Sequence, residues 1–315
     1  MKLGIIIPAL NEEKKIAATI KKIPKKMSSI DEIRVLVIDD GSTDNTKKEA
    51  ILAGAEVISH NQNKGVGVAF QTGLNWALSS DVDLLVNIDA DGQFDANDIS
   101  TIIDPVLNNT TDVVVGDRFN EGRPKDMPLG KYYGNKMMSF LINQLSGLKL
   151  TDVSSGFRAF NREAMYSLNL MGNFTYTQES ILDLSIKSIR IKNVPVKVTY
   201  FKARKSRVAS NLLRYAVQTS LIIFRSYRDY SPLKFFGFLG LSIFCVGLIF
   251  DCFSILHYLN TGGFTPYVSV ILVGIYFNTL GLGIIVLGII ADMFDRIRKN
   301  QEKILYLLKK DQYED

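Results

Sequence analysis

The sequence predicts an α/β domain built on a mixed sheet, followed by interfacial helices and two transmembrane helices. Three observations lead to this fold class. Short apolar runs alternate with helical patterns before Pro232, polar clusters follow several of these runs, and long apolar segments come after Pro232. With 47% hydrophobic residues and a mean hydropathy of +0.10, the chain of 315 residues is more apolar than an ordinary soluble protein.

The apolar runs before residue 116 are rich in β-branched residues and indicate strands. Because helical patterns separate them, they favour a mostly parallel sheet with helices on both faces. We expect Pro8 to end the first strand, since its nitrogen cannot donate to a neighbouring strand. The predicted strands are 3–7, 34–38, 57–59, 83–88 and 112–115, and the predicted helices are 12–23, 44–53, 66–80 and 97–107.

Polar clusters follow three of these strands, at residues 8–13, 39–44 and 89–93. Ligands of such sheets bind at the carboxyl ends of the strands, so the three clusters are expected to converge on one crevice. In the second cluster, a buried Asp39 or Asp40 can accept a hydrogen bond from a base or a ribose. Residues 42–44 mainly cap the next helix.

The third cluster holds two carboxylates one residue apart, Asp89 and Asp91, followed by Gln93. Residues i and i+2 of an extended segment point the same way. Two carboxylates and an amide oxygen suit Mg²⁺ or Mn²⁺, with substrate phosphates completing the shell. The pattern therefore predicts a metal–diphosphate site, and a polar turn at a strand end is the alternative.

Two later segments, approximately 235–259 and 267–294, are long enough to cross a bilayer, which takes about 20 apolar residues. The link 260–266 has no Lys or Arg, whereas both outer flanks are basic. The positive-inside rule therefore predicts an integral membrane protein whose N-terminal domain and both termini are cytoplasmic. Two buried helices of a soluble domain are the alternative. The basic flanking residues are Arg225, Arg228, Lys234, Arg296, Arg298, Lys299 and Lys303.

Three other features of this region concern its contacts with the membrane, with the neighbouring helix and with other subunits. Residues 211–225 are amphipathic and basic, which predicts a helix in the membrane interface or, alternatively, an ordinary packing helix. Asp251 lies inside the first span, facing the other helix, another subunit or the outer interface. Many glycines in both spans permit a homo-oligomer through these helices. The expected boundaries are 1–207 for the N-terminal domain, 208–234 for interfacial helices, 235–294 for the hairpin and 295–315 for a basic tail.

The net charge of +5 is modest, and no nucleic-acid-binding motif is present. The basic residues cluster near the apolar segments, where they can contact anionic lipid head groups. We therefore expect a membrane partner and no nucleic acid.

Five motifs occur in order along the chain. They are Ile7-Pro8-Ala9-Leu10-Asn11-Glu12-Glu13, Ile38-Asp39-Asp40-Gly41-Ser42-Thr43-Asp44, Asp89-Ala90-Asp91-Gly92-Gln93, Val115-Gly116-Asp117-Arg118-Phe119 and Asp152-Val153-Ser154-Ser155-Gly156-Phe157-Arg158-Ala159-Phe160. Taken together, these motifs resemble those of family-2 glycosyltransferases with the Rossmann-like GT-A fold. The chain is most similar to polyprenyl-phosphate sugar synthases, of which dolichyl-phosphate mannose synthase is the best-known type. The resemblance covers about residues 1 to 230.

The resemblance implies a metal-dependent, inverting hexosyltransferase. Its donor would be a nucleotide-diphosphate sugar of the GDP-mannose or UDP-glucose type, and its acceptor a polyprenyl or dolichyl phosphate. Lys131 departs from the family, where Arg is common, and it lacks the bidentate fork of Arg. The implied roles are donor binding for Pro8, Asn11, Glu12, Asp39, Asp40 and Asp89, Mg²⁺ or Mn²⁺ binding for Asp89, Asp91 and Gln93, catalysis for Asp91, Arg118 and Lys131, and acceptor-phosphate binding for Arg118, Lys131, Arg158, Ser206 and Arg207.

A lipid phosphate needs no strong general base, because its second pKa is about 6 by analogy with phosphorylated side chains. This fits a chain whose two histidines, His60 and His257, are not placed as bases. A hydroxyl acceptor, as in glycolipid or polysaccharide synthesis, would need a base such as Glu179 or Asp152. Arg158 also has an alternative role: instead of binding the acceptor phosphate, it could form a structural ion pair with Asp152 or Glu179. A non-catalytic membrane scaffold is the remaining class.

Overall fold

The computed structural model describes residues 1–169, 176–200, 224, 227–228 and 231–314. The chain divides into two compact units. One comprises Met1–Val217 and Tyr306–Asp315, and the other comprises Gln218–Leu305. The expected boundaries at 207, 234 and 294 stay predictions.

The first unit is built on a seven-stranded sheet among the described residues. The strands are β1 Lys2–Ala9, β2 Glu32–Asp39, β3 Glu56–Ser59, β4 Leu84–Asn87, β5 Val113–Asp117, β6 Arg158–Asn161 and β7 Ile191–Pro195. Their order in the sheet is β3-β2-β1-β4-β6-β5-β7. All pairs are parallel except those of β6, which lies antiparallel between β4 and β5. The predicted mixed α/β sheet is confirmed.

Helices cover both faces of the sheet. The helices of this unit are α1 Ile16–Lys21, α2 Thr46–Leu52, α3 Val66–Ser79, α4 Ile99–Leu107, α5 Leu129–Ser146, α6 Arg162–Ser167 and α7 Tyr176–Ile186. Alternate β1 residues such as Ile5 and Ile7 pack into one cluster with Ile16 and Ile102, from helices α1 and α4. On the other face Gly73 lets α3 approach closely, because a Cβ there would lie 2.8 Å from the Cδ1 of Ile6.

Strand β1 continues past Pro8, so the prediction that Pro8 ends the strand is wrong. Pro8 pairs with Ile38 of β2, and the strand runs on to Ala9. On its other side, β1 pairs with β4 only as far as Ile6, opposite Asn87. The missing N–H of Pro8 therefore lies beyond the last β1–β4 pair.

The second unit contains two helices long and apolar enough to cross a membrane, α8 Pro232–Thr261 and α9 Val268–Glu314. Helix α9 extends beyond the predicted span 267–294. It runs on to Glu314, and its residues from Tyr306 belong to the first unit.

Small residues bring α8 and α9 together. A Cβ on Gly240 would lie 2.7 Å from the carbonyl oxygen of Gly281. The sequence left three orientations for the Asp251 side chain, and in the structure it faces the other helix. Its carboxylate accepts a hydrogen bond from Asn278 Nδ2 and lies against Gly274, where a side chain would clash with it.

Candidate active site

The loops after β1 and β2 are tied to each other by hydrogen bonds. Asn11 has a φ of 52°, a conformation that Asn tolerates better than most residues. Its Oδ1 accepts from Thr43 N at 2.8 Å, and its N–H donates to Ser42 Oγ at 2.9 Å. The Glu12 N–H donates to Thr46 Oγ1 at 2.8 Å. These contacts fix the two polar loops as one surface.

Asp39 and Asp40 are both buried at the end of β2. The Oδ1 of Asp39 accepts from Ser42 N at 3.0 Å. Asp40 accepts from Lys64 N at 2.9 Å, Gly65 N at 2.8 Å and the His60 ring at 2.7 Å, so both its oxygens are used within the protein. This bonding makes Asp40 a residue that orders the 60–65 loop, and its contact with a donor stays a prediction.

The acidic motif is supported from below by α1 and the turn before it. Lys15 Nζ donates to the carbonyl oxygen of Asp91 at 3.0 Å. One helical turn later, Thr19 Oγ1 donates to the carbonyl oxygen of Ala90 at 3.4 Å. Within the motif, Asp91 Oδ1 accepts from Gln93 N at 2.9 Å. The motif backbone is therefore held in place, and the side chains of Asp89, Asp91 and Gln93 are half-buried.

Gly156 forms one wall of the site, directly against Asp89. A Cβ at Gly156 would lie 2.7 Å from Asp89 Oδ1 and 3.0 Å from Oδ2. The carbonyl oxygen of Gly156 accepts from Asn87 Nδ2 at 2.7 Å, and the same amide donates to Tyr176 Oη at 2.7 Å. Tyr176 stacks on Phe70 with ring centres 4.3 Å apart. Buried core groups therefore fix the cradle in which the carboxylate lies.

Arg118 forms a bidentate ion pair with Asp152. Its Nε and Nη2 donate to the two carboxylate oxygens at 2.6 and 2.9 Å. The Asp152 side chain is fully buried, and that of Arg118 is 9% exposed. Burial opposes the charge of Arg118, but the Asp152 carboxylate outweighs it and raises the pKa of the guanidinium. Its Nη1 points to Tyr200 Oη, 3.5 Å away. The pair keeps Arg118 charged and rigid.

Lys131, near the start of α5, lies on the same side of the site. Its Nζ is 5.0 Å from the centre of the Tyr200 ring. Burial lowers the pKa of Lys131, and the charge of Arg118 lowers it further, while Asp91 and Asp89 oppose both effects. The structure therefore brings two predicted cations and two predicted metal ligands into one electrostatic cluster.

Arg158 is not placed for the predicted contact with an acceptor phosphate. It is 1% exposed. Its guanidinium donates to the carbonyl oxygens of Ser155 and Val153, at 2.8 and 2.9 Å, and to Ser180 Oγ at 2.7 Å. Burial lowers its pKa to about 10. Asp152, one of the two carboxylates suggested by the sequence, pairs with Arg118 instead. Arg158 supports the loop that ends in Gly156.

The donor set at residues 89–93 fits a hard divalent cation. Carboxylate and amide oxygens are the ligands that Mg²⁺ and Mn²⁺ prefer, and the Gly156 cradle leaves room for the Asp89 carboxylate against the backbone. Among the described residues, no group of three or more His, Cys, Asp and Glu side chains is close enough to hold a metal. A cation here would therefore draw further ligands from a bound molecule.

Two predicted acceptor residues, Ser206 and Arg207, lie outside the described residues, as does most of the predicted interfacial segment 211–225. Three residues of the site were not predicted from the sequence: Lys15, Tyr200 and Gly156, whose contact with Asp89 only the structure shows. Only Gly156 stood in a recognised motif. The i, i+4 spacing of Lys15 and Thr19 was a usable signal for a shared helical face.

The fold is that of GT-A nucleotide-sugar transferases. Glucosyl-3-phosphoglycerate synthase from Mycobacterium tuberculosis, in a crystal structure with Mn²⁺, UDP-glucose and phosphoglyceric acid, has a TM-score of 0.52. It is 25% identical to this chain, and the match covers 70% of this chain and 79% of that one.

Sequence comparison specifies the family. The family model described as "Glycosyl transferase family 2" matches residues 4–168. The UDP-N-acetylglucosamine–dolichyl-phosphate N-acetylglucosaminyltransferase of Methanococcus voltae is 32% identical over 244 residues, covering 70% of this chain and 95% of the relative. The polyprenol monophosphomannose synthase of Mycolicibacterium smegmatis is 25% identical over 224 residues, covering 68% and 83%. The chain belongs to glycosyltransferase family 2, which confirms the resemblance given by the sequence motifs.

Proposed function

We propose that this glycosyltransferase moves a sugar from a nucleotide-diphosphate sugar to a polyprenyl or dolichyl phosphate, with inversion at the anomeric carbon. The observation that carries the proposal is the pairing of two charged halves in one site. Asp89 and Asp91 form the acidic half. Arg118 and Lys131 form the basic half. Lys131 interacts electrostatically with both carboxylates, and Arg118 interacts with Asp89.

In the acidic half, Asp89, Asp91 and Gln93 would hold Mg²⁺ or Mn²⁺. When bound, the cation supplies neutralisation of the negative charge on the departing diphosphate. The loops at Asn11–Glu12 and at Asp39 form one hydrogen-bonded surface next to this half and are proposed to bind the nucleotide.

In the basic half, Arg118 and Lys131 would hold the acceptor phosphate in line with the anomeric carbon. One phosphate oxygen forms the new bond to that carbon as the bond to the nucleoside diphosphate breaks. An α-linked donor therefore gives a β-linked lipid phosphate sugar. Positive charge fixed in a buried site lowers the repulsion between the two phosphates without reorganisation.

The contacts of Asp152 remove one of the two general bases suggested for a hydroxyl acceptor. A hydroxyl acceptor needs a general base, and Asp152 is fully buried and bonded to Arg118 through both oxygens. Names of relatives add support, since the M. voltae enzyme acts on a dolichyl phosphate and the M. smegmatis enzyme is a polyprenol monophosphomannose synthase. They also name different sugars, so the donor panel must include UDP-N-acetylglucosamine, UDP-glucose and GDP-mannose.

The membrane arrangement proposed here has both basic flanks of the helix pair, and with them the active site, on the cytoplasmic side. Arg296 and Lys299 lie on α9 just beyond its apolar part, and their side chains are exposed.

The test is a transfer assay on membranes that contain the full chain, with polyprenyl phosphate, the labelled donor panel and Mg²⁺ or Mn²⁺. We expect metal-dependent label in a lipid fraction for one donor, and loss of that label in the Asp91→Ala variant. Donor binding without lipid labelling would refute transfer to a lipid phosphate. Absence of both binding and transfer would favour the scaffold.

A further inference from the structure

Helix α5 carries four large apolar side chains that are exposed in the described part of the chain. Their exposed fractions lie between 58% and 65%, although each is an apolar or aromatic residue. Their spacing of four, four and three residues places them along one face of the helix. We call this set the α5 stripe. It consists of Leu129, Tyr133, Met137 and Phe140.

The exposure of the α5 stripe does not come from a loosely packed helix. Another face of α5 is buried through Asn135, Met138 and Ile142. Asn135 Nδ2 also donates to the carbonyl oxygen of Lys131 at 2.9 Å within the helix. The helix is therefore apolar on its core face and again on an outer face, a pattern that an aqueous surface does not favour.

The charge of α5 is of one sign. Over residues 129–146 it carries Lys131 and Lys136 and has no acidic residue. The Nζ of Lys136 lies 5.6 Å from the Phe119 ring and 5.8 Å from the Tyr132 ring, so it is held near the helix by aromatic faces. An apolar face combined with lysines and no carboxylate is typical of helices that lie in a membrane interface.

We infer that the α5 stripe contacts the surface of an anionic lipid bilayer and inserts its apolar side chains there. The helices α8 and α9 keep the chain at a bilayer. A second copy of the chain is a poorer occupant, because four such side chains offer on the order of 500 Å², below the about 800 Å² per partner of a standard interface. Tyr133 suits the head-group level, where aromatic side chains with a polar tip are enriched.

This contact has a consequence for the site. Lys131 lies two residues from both Leu129 and Tyr133, on the same helix. A helix lying in the interface would keep Lys131 near the depth of lipid phosphates, while the hydrocarbon part of a lipid acceptor stays in the bilayer. This consequence rests on the proposed function, whereas the bilayer contact itself does not.

The test uses spin-labelled full-length chain in vesicles of phosphatidylcholine and phosphatidylglycerol. The native cysteines are removed as Cys245→Ala and Cys252→Ala, and a nitroxide is attached through Met137→Cys. The matched control is Leu52→Cys, because Leu52 is an exposed apolar residue of the same unit on a different helix, α2. Accessibility to lipid-soluble oxygen is compared with accessibility to a water-soluble nickel complex.

We expect the Met137 label to favour oxygen by several-fold over the Leu52 label. Equal accessibility at the two positions would overturn the inference. Dipolar broadening between Met137 labels on different chains, with no preference for oxygen, would overturn it in favour of a second copy.

The second readout compares the KM for an acceptor in vesicles with kcat for a water-soluble acceptor. Phe140→Glu should raise the apparent KM for vesicle-embedded polyprenyl phosphate at least fivefold, and leave kcat for a short, water-soluble acceptor within twofold. An unchanged KM would contradict the inference, even where the label is protected. If no variant transfers sugar but the Met137 label lies in lipid, the proposed function fails and the bilayer contact stands.

Discussion

Replacing Gly156 with alanine tests how tightly the proposed metal site is built. The added methyl group would lie 2.7 Å from Asp89 Oδ1 and 3.0 Å from Oδ2. Gly156 does not have a positive φ, so alanine meets no backbone strain there. The substitution therefore acts on the carboxylate and the loop beside it.

The size of the effect follows from the distances. Ordinary contact begins at 3.4 Å, so the carboxylate or the loop must give way by roughly 0.7 Å. Metal ligands tolerate deviations of about 0.2 Å. The loop cannot yield easily, because its carbonyl is bonded to the buried Asn87 and Arg158 holds its preceding residues. We expect a loss of about 10–100-fold in metal affinity, as for other changes around metal ligands.

The assay is titration of the full chain with Mn²⁺, following free Mn²⁺ by electron paramagnetic resonance, with and without nucleoside diphosphate. Gly134→Ala is the matched control, since a Cβ at this helical glycine meets nothing within 4 Å. Thermal unfolding of both variants checks that the fold persists. Mn²⁺ affinity of Gly156→Ala within twofold of the control would refute the view that Gly156 sets the position of Asp89.

Three further predictions follow from single contacts. Because Lys131 has a lowered pKa, transfer should decline with rising pH below the ordinary lysine value of about 10.4, and Lys131→Arg should remove that decline. Identical pH profiles of kcat/KM would contradict this role. Lys15→Met should weaken Mn²⁺ binding about 2–10-fold by loss of one hydrogen bond, with Lys15→Arg recovering part of it, and equal binding by the Met variant would exclude such support for Asp91. Asn278→Leu should destabilise the helix pair by about 1–2 kcal/mol, because Asp251 loses its partner. Thermal unfolding in detergent measures this, and an unchanged midpoint would argue against the contact.

The site residues follow strands that could be predicted from the sequence, because each of these strands is a local apolar run. Asp89 and Asp91 follow such a run, but β4 ends at Asn87 and the motif continues in the turn after it. Strand geometry therefore predicts where the motif lies, and the direction of its side chains depends on that turn. The helix expected over 12–23 is shorter, Ile16–Lys21. Asn11 and Glu12, just before and at the start of the expected helix, form hydrogen bonds with the residues that follow β2. The spacing of residues along the chain does not reveal these bonds.

The role of Arg158 could not be predicted for a related reason. It begins β6, the antiparallel strand between β4 and β5. Only that placement buries its guanidinium against the carbonyl oxygens of Val153 and Ser155. A motif identifies a charged residue, but the strand order decides whether its charge faces a ligand or the core.

The α5 stripe is an apolar example of the same problem, because the sequence pattern does not show which apolar residues of a helix are exposed. An apolar residue in a helical pattern ordinarily indicates the core, and only the exposed fractions separate Met137 from its buried neighbour Met138. For α8 and α9, by contrast, length and composition sufficed to predict two helices long enough to cross a membrane, because about 20 apolar residues are needed for that.

The measurement that tests the central claim most directly is the linkage in the product. Lipid labelled by the full chain would be purified and examined by proton and phosphorus nuclear magnetic resonance. Inverting transfer to a lipid phosphate predicts one phosphorus atom per sugar, coupled to the anomeric proton of a β-linked residue. A labelled lipid whose anomeric proton shows no coupling to phosphorus, or whose anomeric configuration matches that of the donor, would contradict it.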